Sequence, residues 1–132
     1  MSSSYAHWGV RATTHPQNNL VRRYFFSRRA KLPNGDKPAQ HGIELLFVFG
    51  TLSDIPLYTP VQADLDLSFF IMGYQTRLGR TGDPNGSGAL AWPLYDTATD
   101  RTLVLDSPLS TVDGVRTDKC DTWDALAASQ GP

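Results

Sequence analysis

The side chains that could carry acid–base or nucleophilic chemistry are few. The sequence holds three histidines (His7, His15 and His41), one glutamate (Glu44) and one cysteine (Cys120). Histidine is the side chain whose ordinary pKa allows proton exchange near neutral pH. His41 precedes Glu44 closely enough for the pair to serve proton transfer, although a lone histidine is more often a polar loop residue. Glu44 is either an acid partner or a structural hydrogen-bond acceptor that fixes the loop.

Metal and thiol chemistry find little support in the sequence. A single cysteine cannot form an intrachain disulfide, and a structural zinc ion needs about four ligands. Cys120 is therefore expected to be a buried, inert thiol, with pairing to a second chain as the alternative. His7 and His15 have no metal-ligand spacing to the scattered aspartates. We predict no metal site and no cofactor.

The composition of the chain limits the classes of partner that it is expected to bind. The chain has 132 residues, 40% of them hydrophobic, and a net charge of −1, which suits one folded domain without a basic field for nucleic acid or an anionic membrane. Arg22–Arg29 interleaves basic and aromatic side chains as single-strand binders do. A strand with arginines at its ends accounts for the same run more economically. We therefore expect no nucleic acid as a partner. We also expect no membrane, because no apolar run approaches the roughly 20 residues that a transmembrane helix needs.

Periodicity and turn residues predict the elements of the first half. The segment 1–19 is predicted to be irregular, and Met1–Trp8 lacks the pattern of a signal peptide, so the compartment is left open. Leu20–Ser27 is predicted to be a strand and Pro33–Asp36 a turn. His41–Gly50 is predicted to be an apolar core segment, and its periodicity does not decide whether it is a helix or a strand.

The second half is predicted to contain two helices and a hairpin. Asp64 is predicted to cap a helix that runs to about Leu78 and ends before Gly82, and a loop follows at Asp83–Gly86. The residues predicted to face inward from this helix are Leu65, Phe69, Met72 and Leu78. The remaining predictions are a hairpin of Leu90–Tyr95 and Thr102–Leu105 joined by Asp96–Arg101, a turn at Asp113–Gly114, and a short helix capped by Thr117 or Asp118 with Trp123 and Leu126 inward.

Three stretches resemble, in order, the C-terminal end of the type-B carboxylesterase and cholinesterase family. His41–Gly50 resembles the family's HGxEL-FVFG segment. Thr81–Gly86 and Trp92–Asp96 resemble its TGDPN loop and its WPxYD strand, and Cys120–Asp124 is similar to its CDFWD ending. Val21–Phe26 also resembles the YRYxF strand that precedes the histidine loop.

The resemblance runs from Leu20 to Leu126 and implies a fold. That fold is α/β: the C-terminal segment of an α/β-hydrolase, built of a strand, a histidine loop, a helix, a β-hairpin and a short helix, and incomplete by itself. On this reading residues 1–19 are an irregular N-terminal segment, and residues 20–132 are the C-terminal portion of a carboxylesterase-type domain.

In family terms His41 is the third member of the catalytic triad and acts as the general base. The sequence has no G-x-S-x-G nucleophile elbow, and the triad order in this fold is serine, then acid, then histidine. We therefore expect the serine and the acid upstream of Met1, in an N-terminal chain or segment, and no activity from this chain alone. Because the acid precedes the histidine, Glu44 is implied to be a structural acceptor. The implied reaction is hydrolysis of a carboxylic ester.

Departures from the family pattern concern packing more than chemistry. Leu46 stands where the family has proline, Gln75 where it has an aromatic residue, and Gly79 where it has alanine. Two alternatives stay open: a catalytically silent adhesion homologue that keeps the fold, and a non-functional gene fragment. Asn85 begins a formal N-glycosylation sequence, which matters only in a secreted protein.

Overall fold

A computed structural model describes residues 20–32, 35–37, 39, 42–56 and 58–129 of the chain. The chain forms two compact units. The larger unit comprises Tyr24–Trp92 and Leu103–Thr111, and the smaller unit comprises the chain up to Arg23, Pro93–Thr102 and the chain from Val112. No helix among the described residues has the length and hydropathy needed to span a membrane.

The main sheet has three strands: β1 (Tyr24–Phe26), β4 (Arg101–Leu105) and β5 (Ser110–Asp113), in the order β1-β4-β5. β1 and β4 are parallel, with Tyr24 opposite Leu103 and Phe26 opposite Leu105. The predicted strand Leu20–Ser27 is therefore confirmed in its position, but it is shorter than expected. Leu103 and Leu105 of β4 are buried and Val104 is partly buried, as is usual for parallel strands.

A small antiparallel ladder follows the first strand. β2 (Ala30–Leu32) pairs with β3 (Gly35–Lys37). Gly35 and Asp36, which the composition predicted to lie in a turn, are thus the first residues of a strand. The predicted turn at Pro33–Asp36 is wrong in that part, and residues 33–34 lie outside the described residues. An Asn-Gly pair is compatible with a tight hairpin, and its register is not deducible from turn composition alone.

The predicted hairpin of Leu90–Tyr95 with Thr102–Leu105 is wrong in its first strand. Residues 90–95 belong to no strand. The N–H of Trp92 donates to Oδ1 of Asn85 at 2.7 Å, and Pro93 has no N–H to offer a neighbouring strand. The second predicted strand, Thr102–Leu105, pairs with β1 instead. The alternating apolar pattern of residues 90–95 therefore reflects the burial of Trp92 and Tyr95 and does not come from strand pairing.

The ambiguous segment after position 41 is helical. Helix α1 comprises Glu44–Val48 and buries Phe47. Glutamate and leucine lose little rotamer freedom in a helix, which favours this outcome at the helix start. A 3₁₀ turn at Leu52–Asp54 follows, and Leu52 is buried.

Helix α2 comprises Gln62–Thr81 and contributes Leu67, Ile71 and Tyr74 to the hydrophobic core. Val61 occupies the N-cap, so the predicted cap at Asp64 is wrong: Asp64 is in the first turn, where its carboxylate accepts the Val61 N–H at 2.9 Å. The helix ends at Gly82 as predicted, with φ of +76°, a left-handed conformation that glycine adopts without steric cost.

The inward face of α2 differs from the prediction. The predicted inward residues Leu65, Phe69 and Leu78 are exposed, Phe69 to 71%. The buried residues of α2 are Asp64, Leu67, Ser68, Ile71 and Tyr74. Apolar residues lie both on the predicted face and on the buried face of α2, so helical periodicity could not decide which face is buried. The buried face also includes the polar residues Asp64 and Ser68, which made it the less obvious choice.

The core of the larger unit joins helices, loop and sheet. Its fully buried hydrophobic residues are Phe47, Leu52, Tyr58, Leu67, Ile71, Tyr74, Trp92, Leu103 and Leu105. Aromatic rings meet edge to face, with 5.0 Å between the ring centroids of Phe26 and Phe47 and 5.6 Å between those of Tyr74 and Trp92. Such a pair contributes about 0.5–1.5 kcal/mol beyond its buried area.

The smaller unit contains an internal ion pair and the last helix. Arg23 donates to Asp100 at 2.7 Å, and its guanidinium lies 5.6 Å from the ring centroid of Tyr95. Helix α3 comprises Thr117–Ser129 and begins at Thr117, so Thr117 and Asp118 are helical residues and not the N-cap.

The inward face of α3 also differs from the prediction, while the predicted buried thiol is confirmed. Trp123 and Leu126 are exposed. The Cys120 side chain is buried, at 3% exposure. A short helix with so little apolar periodicity offers no reliable face from sequence alone.

Candidate active-site edge

The carboxyl ends of β1 and β4 lie side by side because the two strands are parallel. The ladder extends one residue past β1, where the N–H of Ser27 donates to the carbonyl of Leu105 at 3.2 Å. Sites in open α/β sheets lie outside the carboxyl ends of the strands. The segment that bears His41 leaves β1 at this edge, which we call the carboxyl edge, defined by Ser27, Arg28 and Asp106.

Polar side chains join the two strand ends. The hydroxyl of Ser27 donates to Oδ2 of Asp106 at 2.8 Å, and Nη1 of Arg28 lies 3.6 Å from Oδ1 of the same aspartate. Asp106 follows β4 directly, so these contacts fix the exit of β1 against the exit of β4.

Arg28 also reaches helix α2. Its Nε donates to Oδ1 of Asp64 at 2.7 Å. The other oxygen of Asp64 accepts two more hydrogen bonds, at 2.7 Å from the hydroxyl of Tyr58 and at 2.9 Å from the N–H of Val61. Asp64 is 2% exposed, so these three donors, one of them a cation, satisfy a carboxylate that would be costly to bury without them.

The electrostatics of this cluster keep Asp64 ionised. Burial acts to raise the pKa of Asp64, but hydrogen bonds from Tyr58, Val61 and Arg28 outweigh it, and the pKa lies below its ordinary value. Burial and the bond to Asp64 raise the pKa of Tyr58, which therefore remains a neutral donor. Burial works against the charge of Arg28, yet its partners Asp64 and Asp106 raise its pKa.

A second contact joins α2 to the other side of the histidine segment. The hydroxyl of Ser68 donates to the carbonyl of Phe47 in α1 at 2.7 Å, and Ser68 is 3% exposed. Asp64 and Ser68 are one helical turn apart in α2, so they lie on the same face. The sequence analysis missed Arg28, Tyr58, Ser68 and Asp106. The only available signal was the pair of small polar residues at helical spacing among apolar neighbours.

His41, the one predicted catalytic residue, lies outside the described residues, as does residue 40. Gly42, which follows it, is described and has φ of +87°. A Cβ there would meet no atom within 4 Å, so the glycine is required by its backbone conformation and not by a close approach.

Glu44 is the first residue of α1, where a carboxylate is favoured by the exposed N–H groups of the helix start. Burial and, second, the charge of Glu44 raise the pKa of Tyr24. The charge of Glu44 is thus close enough to β1 to act on Tyr24, and its role as a structural acceptor stays a prediction.

Other residues singled out by the sequence take part in packing. Two arginines of the basic run, Arg23 and Arg28, are in partly buried ion pairs. The side-chain amide of Asn85 donates to the carbonyl of Trp92 and accepts its N–H, so both ends of this glycosylation candidate are occupied. In the part of the chain that the structure describes, no three His, Cys, Asp or Glu residues converge as a metal site would require.

Comparisons with known proteins give consistent matches. No protein-family model matches the chain. The chain is 40% identical over 85 residues to acetylcholinesterase of Gallus gallus, covering 63% of this chain and 11% of that protein. It is 31% identical over 109 residues to the medium-chain fatty acyl-CoA hydrolase precursor of Anas platyrhynchos, covering 80% and 19%. Carboxylesterase 5A of Felis catus is 32% identical over 108 residues, covering 76% and 20%.

The solved structures agree with the curated relatives. A thermophilic PNB esterase superimposes with a TM-score of 0.69 at 28% identity, covering 76% of this chain and 21% of that chain. Another PNB esterase gives a TM-score of 0.64 at 29% identity, covering 75% and 20%. The chain therefore spans about a fifth or less of the length of the proteins it matches.

Proposed function

The chain belongs to the carboxylesterase and cholinesterase family and has a C-terminal segment of its α/β-hydrolase fold, and from that premise we propose that it supplies the catalytic histidine, His41, to a carboxylic-ester hydrolase. Relatives named carboxylesterase, acetylcholinesterase and acyl-CoA hydrolase support ester hydrolysis as the general reaction. The serine nucleophile and the acid come from outside this chain, in an upstream segment or a separate N-terminal chain.

The observation that carries the proposal is the course of the chain around the HGIEL motif. The motif follows β1, whose carboxyl end lies beside that of β4, after the intervening β2–β3 ladder, and it leads into α1. A catalytic histidine needs a segment beyond a strand end that brings its imidazole to a nucleophile above the sheet edge. The strand end and the helix start on either side of His41 both belong to the packed larger unit.

The chemistry assigned to His41 is proton transfer. Serine is a poor nucleophile near neutral pH, and an adjacent imidazole removes its proton as the hydroxyl attacks the ester carbonyl. The same imidazole then returns the proton to the leaving alcohol, and in the second half-reaction it activates water in the same way. Glu44 has no part in these transfers and keeps the start of α1 in place.

The test joins this chain to the N-terminal segment of a type-B carboxylesterase that contains the serine, the acid and the oxyanion loop. The fused protein should hydrolyse a short-chain p-nitrophenyl ester, and His41→Ala should lower kcat by about a thousandfold or more. His15→Ala is the matched control and should leave the rate unchanged. Glu44→Gln should cost far less than His41→Ala.

The unfused chain should neither react with a fluorophosphonate probe nor turn over the ester, because it has no G-x-S-x-G serine. Full activity of the fused His41→Ala variant would contradict the role of this residue. A fused protein that folds but never hydrolyses esters would instead favour the catalytically silent binding homologue.

A further inference from the structure

The loop after helix α2 contains an Asn-Gly pair whose asparagine binds the main chain of a buried tryptophan. Oδ1 of Asn85 accepts the N–H of Trp92 at 2.7 Å, and Nδ2 donates to the carbonyl of the same residue at 3.2 Å. A carboxamide offers an acceptor and a donor side by side, whereas an ionised carboxylate offers acceptors only. Trp92 is 4% exposed and meets Tyr74 edge to face, so the two bonds attach this loop to the hydrophobic core.

The glycine of the pair is required by packing. A Cβ at Gly86 would lie 2.9 Å from Cδ of Arg77, which is too close for an ordinary contact. Arg77 is itself held, because its Nε donates to the carbonyl of Pro84 at 2.6 Å and its guanidinium lies 5.5 Å from the ring centroid of Tyr74. The fold therefore favours both members of the pair, Asn85 for its bonds and Gly86 for its small size.

An Asn-Gly pair can deamidate without an enzyme, because glycine places no side chain beside the attacking nitrogen. The main-chain nitrogen of Gly86 loses its proton to base and attacks Cγ of Asn85. A new C–N bond forms, the Cγ–Nδ2 bond breaks, and Nδ2 takes up a proton and leaves as ammonia. One water molecule then opens the resulting succinimide at either carbonyl, which gives aspartate or isoaspartate, and no oxidant or reductant takes part.

The contacts with Trp92 oppose this reaction in the folded chain. Nδ2 of Asn85 is both the atom that must leave and the donor to the Trp92 carbonyl, so the reaction cannot finish while that hydrogen bond persists. Attack also makes Cγ tetrahedral, which moves Oδ1 from its place opposite the Trp92 N–H. Gly86 is exposed, so base and water can reach its nitrogen. Release of the asparagine side chain is therefore the step that limits the reaction.

We propose that Asn85-Gly86 is a gated deamidation site, at which the reaction occurs only when the loop opens away from Trp92 and then prevents the loop from closing again. The aspartate product has no donor for the Trp92 carbonyl and places a carboxylate oxygen opposite it. Isoaspartate in addition lengthens the main chain by a methylene group. The modification thus detaches the loop from the core permanently, and this inference does not depend on the role of His41.

The first test compares deamidation of Asn85 in the folded full chain and in the same chain unfolded in guanidinium chloride, at one mildly alkaline pH and one temperature. Peptide mapping by mass spectrometry follows the conversion to aspartate and isoaspartate. The folded chain should react about tenfold or more slowly, because only the open fraction reacts. In the denaturant, Asn85 should react as fast as Asn34, which also precedes a glycine in the sequence. Equal rates for Asn85 in the folded and unfolded chain would overturn the proposal.

The second test loosens the loop without changing the reacting pair. Arg77→Gln removes the donor to the Pro84 carbonyl and should raise the rate in the folded chain by about threefold or more, with no change in the denaturant. Arg80→Gln, an exposed arginine of the same helix, is the matched control and should keep the wild-type rate. Should Arg77→Gln fail to fold, Tyr74→Phe removes only the hydroxyl that donates to the Leu90 carbonyl and should act in the same direction. A wild-type rate in the folded variants would overturn the gating.

The third test examines the product. Asn85→Asp reproduces the aspartate form and should accelerate hydrogen–deuterium exchange in peptides from residues 83–92 by about tenfold or more, while peptides from β4 exchange as in the wild type. Ser87→Ala, at an exposed position of the same loop, is the matched control and should change neither region. Wild-type exchange across 83–92 in Asn85→Asp would overturn the claim that the product holds the loop open. Equal acceleration in β4 would overturn it as well, because that pattern reports loss of the whole fold.

Discussion

At the scale of single residues, the most consequential group is a carboxylate inside an apolar core. Asp64 keeps its charge because Arg28, Tyr58 and Val61 donate to its two oxygens, and Arg28 is itself held by Asp106 at the sheet edge. Removing one partner of a buried pair typically costs about 3–5 kcal/mol, because the other charge is left without compensation.

The depressed pKa of Asp64 predicts how stability depends on pH. A carboxylate whose folded pKa lies below its unfolded value of about 3.9 contributes stability that is complete above that value. This contribution is lost as the pH falls through the folded pKa. The unfolding free energy, measured with urea between pH 7 and pH 3, should therefore fall more steeply in the wild type than in Asp64→Asn. Asp66→Asn should keep the wild-type slope, and parallel profiles for wild type and Asp64→Asn would contradict the assignment.

The sequence could not reveal this cluster. Asp64 looks like a helix cap when only its neighbours in the chain are considered, since aspartate before an apolar run is a common N-terminal signal. Its charged partner Arg28 is 36 positions away, and the bond to it depends on the parallel pairing of β1 with β4. Signals in the neighbouring sequence place such a residue at the start of a helix, but they do not identify a partner that is distant in the chain.

At the scale of elements, helix ends are more predictable than helix faces. Gly82 ends α2 as predicted and does so with a positive φ, whereas the predicted apolar stripe lies on the wrong side. A single glycine determines a backbone conformation locally. The buried face depends on which neighbours exist, and α2 has apolar residues on more than one side.

Two glycines near the end of α2 form a matched pair for a stability test. Gly82 has φ of +76°, and an alanine there takes on left-handed strain of about 1 kcal/mol. Gly79 lies within the helix, and a Cβ added to it would meet no atom within 4 Å, so alanine there should stabilise the protein by about 0.5–1 kcal/mol. Thermal unfolding of Gly82→Ala and Gly79→Ala should thus move the Tm in opposite directions. Shifts of the same sign in both variants would contradict this account.

At the scale of the whole molecule, much apolar surface remains uncovered. Large hydrophobic side chains that are at least 37% exposed include Leu45, Phe49, Leu65, Phe69, Leu78, Trp123 and Leu126. Several of these residues are predicted from the sequence to face inward, because large hydrophobic side chains are usually buried. The resemblance predicted the fold segment correctly, while the burial of its residues depends on layers that this chain does not itself supply.

The exposed hydrophobic side chains predict the behaviour of the isolated chain in solution. Contiguous apolar surface binds hydrophobic dyes and promotes self-association. We expect the purified chain to enhance the fluorescence of such a dye and to form oligomers whose size increases with concentration. Phe69, at 71% exposure, is the sharpest probe, because Phe69→Gln removes an exposed ring without disturbing the core. This variant should bind less dye, and Thr76→Gln, at an exposed polar position of the same helix, should not.

Fusion to the upstream segment of a type-B carboxylesterase should lower dye binding further, since the added layers cover apolar surface. A monomer that unfolds cooperatively and binds no dye would contradict this expectation and would mean that the chain is complete as an independent folding unit.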